Sequence, residues 1–138
     1  MKTGTVDTCA LEGAKYAMRG LSIIKQKNPN LHIIVLSGTY NTGRGEEIDL
    51  NRVYNENIRT YNNYVLEYCN KIGVDFIDVS TPMTNGKGYF VREWASDRSY
   101  HIKQDPYKIW IQVLREYAEK KQAGTWKNYE VMPELGMR

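Results

Sequence analysis

Two histidines supply the only imidazoles in the 138 residues, and one of them closes the segment Asp97-Arg98-Ser99-Tyr100-His101. A carboxylate beside an imidazole has a definite chemical use. It fixes the ring tautomer and stabilises the imidazolium that forms when the ring takes a proton from a serine hydroxyl. Four residues of separation let Asp97 reach His101 if the loop closes a helical turn. His101 also follows a strand-like segment and precedes a helix-like one, which is where an open α/β sheet presents its ligand crevice. The same pair also fits a loop that merely caps its own turn.

Other reactive side chains are less well placed. His32 lies inside an apolar run and reads as a structural or edge residue. Cys9 and Cys69 are far apart, without neighbouring ligands, and each falls in a helical pattern where a free cysteine packs as a small apolar group. No metal and no organic cofactor is expected. The serines are Ser22, Ser37, Ser80, Ser96 and Ser99. Of these, Ser37 stands at a strand end and is the nearest to a nucleophile's position.

The elements that must hold these groups follow from periodicity. Leu11, Ala14, Ala17, Met18, Leu21 and Ile24 recur at helical spacing, with Asp7 or Thr8 as N-cap and Asn28-Pro29 as the stop. Residues 31–36, Leu-His-Ile-Ile-Val-Leu, then predict a strand buried on both faces. A second helix is predicted from Leu50, Tyr54, Ile58, Tyr61, Val65, Tyr68 and Ile72, its aromatic stripe facing the core and Gly73 ending it. Residues 74–79 predict a second strand. Asp105-Pro106 predicts the start of a third helix, with Asp105 as N-cap and Tyr107, Trp110, Ile111, Leu114 and Ala118 as its apolar face. Periodicity stops after Gly124, which divides the chain into a domain over 1–124 and a C-terminal tail over 125–138.

Helix, strand, helix, strand, helix is the pattern of an α/β domain with a parallel sheet. Two strands are few for such a sheet, which must be covered on both faces, so further strands are expected. An open edge of a sheet this small would template another strand, either from a complementing chain or from a second copy. Composition sets outer limits: 41% apolar and 25% charged residues describe one globular domain. The net charge of +3 is spread along the chain without a basic block, which argues against nucleic acid. The longest apolar run is too short to cross a bilayer and no secretory signal is visible, so no membrane role is expected and the cytoplasm is the default location.

The chain resembles the C-terminal part of the SGNH (GDSL-type) hydrolases. The likeness rests on a helix with Asn55 near its start, a strand ending in Phe76-Ile77-Asp78-Val79, a glycine-bearing loop, the Asp97/His101 pair and a closing helix with Tyr107-Lys108-Ile109-Trp110. Asn28-Pro29-Asn30 before residues 31–36 is similar to the segment preceding that family's fourth strand. The resemblance implies a three-layer, flavodoxin-like parallel sheet with flanking helices, incomplete here because N-terminal strands are missing. It implies His101 as base and Asp97 as triad acid, although three residues separate them where the family has two. Gly4-Thr5-Val6-Asp7 looks like the family's Gly-x-Asn-Asp block, with Val6 in place of the oxyanion-hole Asn and Gly4 and Asp7 flanking it. Valine donates no hydrogen bond there, and loss of one oxyanion donor typically costs about 2.7–4 kcal/mol of transition-state stabilisation.

No Gly-Asp-Ser block occurs, so the nucleophile is unknown. The resemblance therefore implies an ester hydrolase fragment acting on carbohydrate or lipid acyl esters, inactive alone. Two alternatives stand beside it: a non-catalytic SGNH-like module that binds a carbohydrate or a protein, and an unrelated small α/β protein.

Overall fold

The computed structural model describes residues 6–43, 48–97 and 100–136. Its order is α1 (Val6–Lys27), β1 (Ile34–Leu36), α2 (Ile48–Ile72), β2 (Asp75–Ile77) and α3 (Tyr107–Gln122), with 3-10 turns at Thr81–Met83 and Arg92–Trp94. The protein is therefore mixed helix and strand. β1 and β2 pair in parallel, Ile34 opposite Asp75 and Leu36 opposite Ile77, and the hydrogen bond from Ser37 N–H to Ile77 O (3.0 Å) continues the pairing past the strands.

The two long later helices end by the same device. Gly73 and Gly124 take positive φ (71° and 72°), and the next residue reaches back, Val74 N–H to Cys69 O (2.9 Å) and Thr125 N–H to Lys120 O (2.8 Å). These are Schellman motifs, which satisfy carbonyls that the helix leaves unpaired. On α2 the Lys25 ammonium from α1 adds a bond to Ile72 O.

One face of the sheet carries α1 and α2. Phe76, Val74, Ala14, Val65, Leu66 and Cys69 form this core, with Ile33 and Val35 packed against it. Burial also pushes the Cys69 thiol up to about 11, so it behaves as an apolar side chain. On the other face Ile77 and Val79 meet Tyr117, Trp110, Val113 and Leu114 of α3.

Three expectations are corrected. β1 is not buried on both faces: Ile34 is 41% and Leu36 38% exposed, because α3 packs over β2 and leaves that side of β1 bare. Asp105 does not cap α3; Pro106 holds the N-cap position, and the buried face is turned to Trp110, Val113, Leu114 and Tyr117 while Tyr107, Ile111 and Ala118 are exposed. The turn of α3 has a polar cause, the Tyr117 hydroxyl donating to Asp75 on β2 (2.5 Å). On α2 the aromatic stripe is not the buried face at its start: Leu50 and Tyr54 are half-exposed while Asn51 and Asn55 are buried, as is Asn62 further on.

Residues 125–136 lie along β2 and α2. The Asn128 side chain accepts from Phe76 N–H (2.8 Å) and donates to Val74 O (2.9 Å), occupying the outer side of β2 as a neighbouring strand would. Further along, Met132 is fully buried in the first core and Leu135 in a third cluster with Tyr40, Met83, Phe90 and Ala95.

Candidate functional site

The Asp97/His101 segment is a closed loop. An antiparallel bridge joins Ala95 to Ile102, Ser96 N–H donates to His101 O (2.7 Å), and Lys103 N–H donates to Trp94 O (2.8 Å). Ala95 is buried and Ile102 packs beside it, so an apolar base fixes a polar tip. At that tip Asp97 Oδ1 accepts the N–H groups of Tyr100 (3.0 Å) and His101 (3.2 Å), as an N-cap residue does for the turn after it. Its other oxygen, Oδ2, accepts from His101 Nδ1. The helical-turn geometry that a spacing of four requires is therefore made by the carboxylate itself.

This pairing decides which nitrogen is left for chemistry. In the neutral ring, with Nδ1–H given to Asp97, Nε2 carries the lone pair, and it has no hydrogen-bond partner among the described residues. The imidazole is 64% exposed, with the Tyr100 ring centred 4.5 Å from its own. An outward Nε2 on a carboxylate-held ring is the arrangement a general base needs.

His32 is held the opposite way. Its Nε2 lies 3.2 Å from Asp75 Oδ2 and 2.9 Å from the Tyr117 hydroxyl, at the end of the strands where they begin. The same Asp75 oxygen also takes Tyr117 O–H (2.5 Å) and the Lys121 ammonium (2.8 Å). Burial alone would raise the Asp75 carboxyl, but bonds from Lys121, Tyr117 and His32 outweigh it and hold it below the usual carboxylate range. In turn, burial and the bond to Asp75 push the Tyr117 phenol up. Three elements are tied by this cluster, and the sequence reading of His32 as a residue without a chemical role missed Asp75 as its partner 43 residues away.

The remaining sequence candidates are placed as follows. Ser37 is buried, its hydroxyl lies within hydrogen-bond distance of Asp78 Oδ1 (3.1 Å) and Ser80 Oγ (2.8 Å), and its oxygen accepts Val79 N–H (3.1 Å). These bonds join the ends of the two strands. Asp78 Oδ1 further accepts Ser80 and Thr81 N–H (both 3.0 Å) and so starts the turn at Thr81–Met83. Ser96 Oγ donates to His101 O (3.2 Å), and none of Ser22, Ser37, Ser80 and Ser96 hydrogen-bonds to the His101 ring. Ser99 and Gly4 lie outside the described residues. Val6 and Asp7 form the first turn of α1.

The loop after β1 is the other wall of the site, and α2 positions it. Asn55 accepts Asn41 N–H (2.6 Å) and donates to Asn41 O (2.9 Å) and Gly88 O (3.2 Å); Asn62 accepts Gly38 N–H (2.8 Å) and donates to Gly38 O (3.2 Å); Asn51 donates to Thr42 O (2.7 Å). Spaced by four and seven, these three amides share a helix face. That spacing is visible in the sequence and was passed over for the aromatic stripe beside it. Phe90 N–H then donates to Asn41 O (2.9 Å), joining the loop to the segment that leads to Asp97.

Among the described residues no group of three or more His, Cys, Asp or Glu could hold a metal ion, and no helix is long and apolar enough to cross a membrane. No family model matches the sequence, and no curated protein matches it.

Proposed function

We propose that this chain is the acid–base portion of an SGNH-type ester hydrolase, in which His101 is the general base, Asp97 its orienting acid, and the attacking serine is carried by a further segment. The observation that carries this reading is the Asp97 carboxylate on Nδ1 of an exposed imidazole whose Nε2 is left open. In the complete site the serine hydroxyl gives its proton to Nε2 as its oxygen bonds to the ester carbonyl carbon. The tetrahedral adduct then expels the alcohol, which takes that proton from the imidazolium. Water repeats both transfers and releases the carboxylic acid.

The three-layer sheet of that family is part of this reading. So is the place of the further segment, on the β1 side, because Asn128 occupies the outer side of β2 while Ile34 and Leu36 remain exposed. Nitrogen-15 NMR of the imidazoles tests the dyad in the chain as it stands. His101 is expected in the Nδ1–H tautomer, with Asp97→Ala giving a mixture of the two. A His101 ring protonated on Nε2, or one unmoved by Asp97→Ala, would sink the assignment. A fluorophosphonate probe should label no serine of this chain, and stoichiometric labelling would overturn the claim that the nucleophile comes from elsewhere.

A further inference from the structure

Between α3, the end of β2 and the C-terminal segment lies a hollow of about 390 Å³, within the range of pockets for small organic ligands, from about 300 Å³ upward. Its wall is aromatic. Tyr117 of α3 and Trp126 of the C-terminal segment meet edge to face with ring centres 4.8 Å apart, and Tyr129 borders the hollow as well. Four charged side chains line it too, the carboxylates of Asp78 and Glu116 and the ammonium groups of Lys120 and Lys127. We propose that this hollow binds a small zwitterion, an α-amino acid with an apolar side chain, held with its ammonium toward Asp78 and its carboxylate toward Lys120 and Lys127. Among the described residues its lining includes none from the Asp97/His101 loop, and the proposal does not rest on the ester-hydrolase reading.

Asp78 is the group that asks for a cation. Only 7% of the residue is exposed, and its two carboxylate oxygens are served unequally. Oδ1 accepts the N–H groups of Ser80 and Thr81 (both 3.0 Å) and lies 3.1 Å from the Ser37 hydroxyl. Oδ2 is buried with no hydrogen-bond partner among the described residues. Folded proteins rarely leave such an oxygen unpaired, because the hydration it lost is not replaced. A ligand ammonium brings three donors and the opposite charge. Burial, and then the Asp78 charge, push the Tyr129 phenol up, so the field of this carboxylate is felt at the wall of the hollow. The aromatic faces around it favour a cation further.

The positive groups stand at the open end. Lys120 and Lys127 are exposed, and neither forms an ion pair among the described residues. Glu116 shares that rim, where it receives the Gln112 amide (3.4 Å), so the rim carries two ammonium groups against one carboxylate while the deep end carries a carboxylate alone. A zwitterion orders its charges to match, cation deepest and anion outermost. Between the two ends Ile77, Pro82 and Val113 give its side chain an apolar seat. The walls are held from outside, the Tyr117 hydroxyl by Asp75 (2.5 Å) and the Trp126 indole N–H by Asn128 (3.1 Å), so that binding orders little that is loose.

The test removes one ligand charge at a time. Nitrogen-15-labelled chain is titrated with L-leucine and L-phenylalanine. It is also titrated with 4-methylpentanoate and 3-phenylpropanoate, which lack the ammonium, and with 3-methylbutylamine and phenethylamine, which lack the carboxylate. At least one amino acid is expected to bind in the millimolar range or tighter and to shift the amides of Asp78, Val113, Thr125 and Lys127, with both of its analogues weaker by about tenfold or more. Asp78→Asn keeps an oxygen for the Ser80 and Thr81 N–H groups but puts a donor in place of Oδ2, and should weaken binding about tenfold or more. Lys127→Ala, at the surface, should weaken it about threefold. The proposal is overturned if neither amino acid shifts these amides, if either analogue binds within about tenfold of its amino acid, or if the shifts centre on the Asp97/His101 loop. It is equally overturned by an unchanged affinity in Lys127→Ala or in a folded Asp78→Asn chain; should Asp78→Asn fail to fold, Lys127→Ala decides alone.

Discussion

At the residue scale, the two histidines show how little residue type says before partners are known. Both meet an aspartate, but Asp97 takes Nδ1 of His101 and leaves its Nε2 open, whereas Asp75 takes Nε2 of His32. Asp75, on β2, instead ties α3 to the segment that leads into β1, and its lowered pKa gives this role a pH signature. A carboxyl with a depressed folded pKa stabilises the fold fully above its unfolded pKa and loses that contribution as pH falls through the folded value. Asp75→Asn should therefore cost about 1–3 kcal/mol at neutral pH. The difference from wild type should begin to shrink as pH falls to the ordinary Asp value of about 3.9 and vanish below the lowered folded value. Urea unfolding of both proteins across that range measures it, and a difference that stays constant would refute the assignment. None of this was legible in the sequence, where His32 and Asp75 are separated by the whole of α2.

At the element scale, α2 is a two-sided polar clamp. Asn51, Asn55 and Asn62 hold the loop after β1, while Arg59, Asn63 and Asn70, with the same spacing of four and seven, hold the C-terminal segment. Arg59 donates to Pro133 O (2.8 Å) and Met132 O (2.7 Å), Asn63 accepts Met132 N–H (2.7 Å), and Asn70 donates to Tyr129 O (2.9 Å). A buried clamp costs more to break than an exposed one, because its stranded partners cannot turn to water. Asn55→Ala is expected to lower stability by about 3 kcal/mol and Asn70→Ala by about 1 kcal/mol or less, as denaturant midpoints would report. Equal losses would show that burial is not what sets the cost. The extent of α2 and its end at Gly73 were readable from periodicity and a glycine in a Schellman position. Its buried face was not, because an apolar stripe outweighs amides in any hydrophobic pattern, and an amide becomes a core residue only when a backbone loop is there to meet it.

At the scale of the whole molecule, the C-terminal segment completes the structure described. It supplies Asn128 to the edge of β2, Met132 to the first core and Leu135 to the cluster beneath the dyad loop. A chain ending at Gly124 would expose that edge and lose the Met132 contacts, worth about 2–5 kcal/mol on the scale of large core truncations. Such a chain is expected to unfold without a cooperative transition, and a sharp melt within a few degrees of the full protein would contradict this. By itself the sequence determined what local chemistry determines. It gave the order of helices and strands, the glycine stops of α2 and α3, and a carboxylate within one turn of an imidazole, since each depends on residues a few positions apart. Only the tertiary structure decided which imidazole nitrogen is left open, which side of β1 stays bare, which face of α2 is buried, and that Ser37 is committed to the strand ends. Those outcomes depend on partners dozens of residues away, and no periodicity in the chain encodes where the fold will bring them.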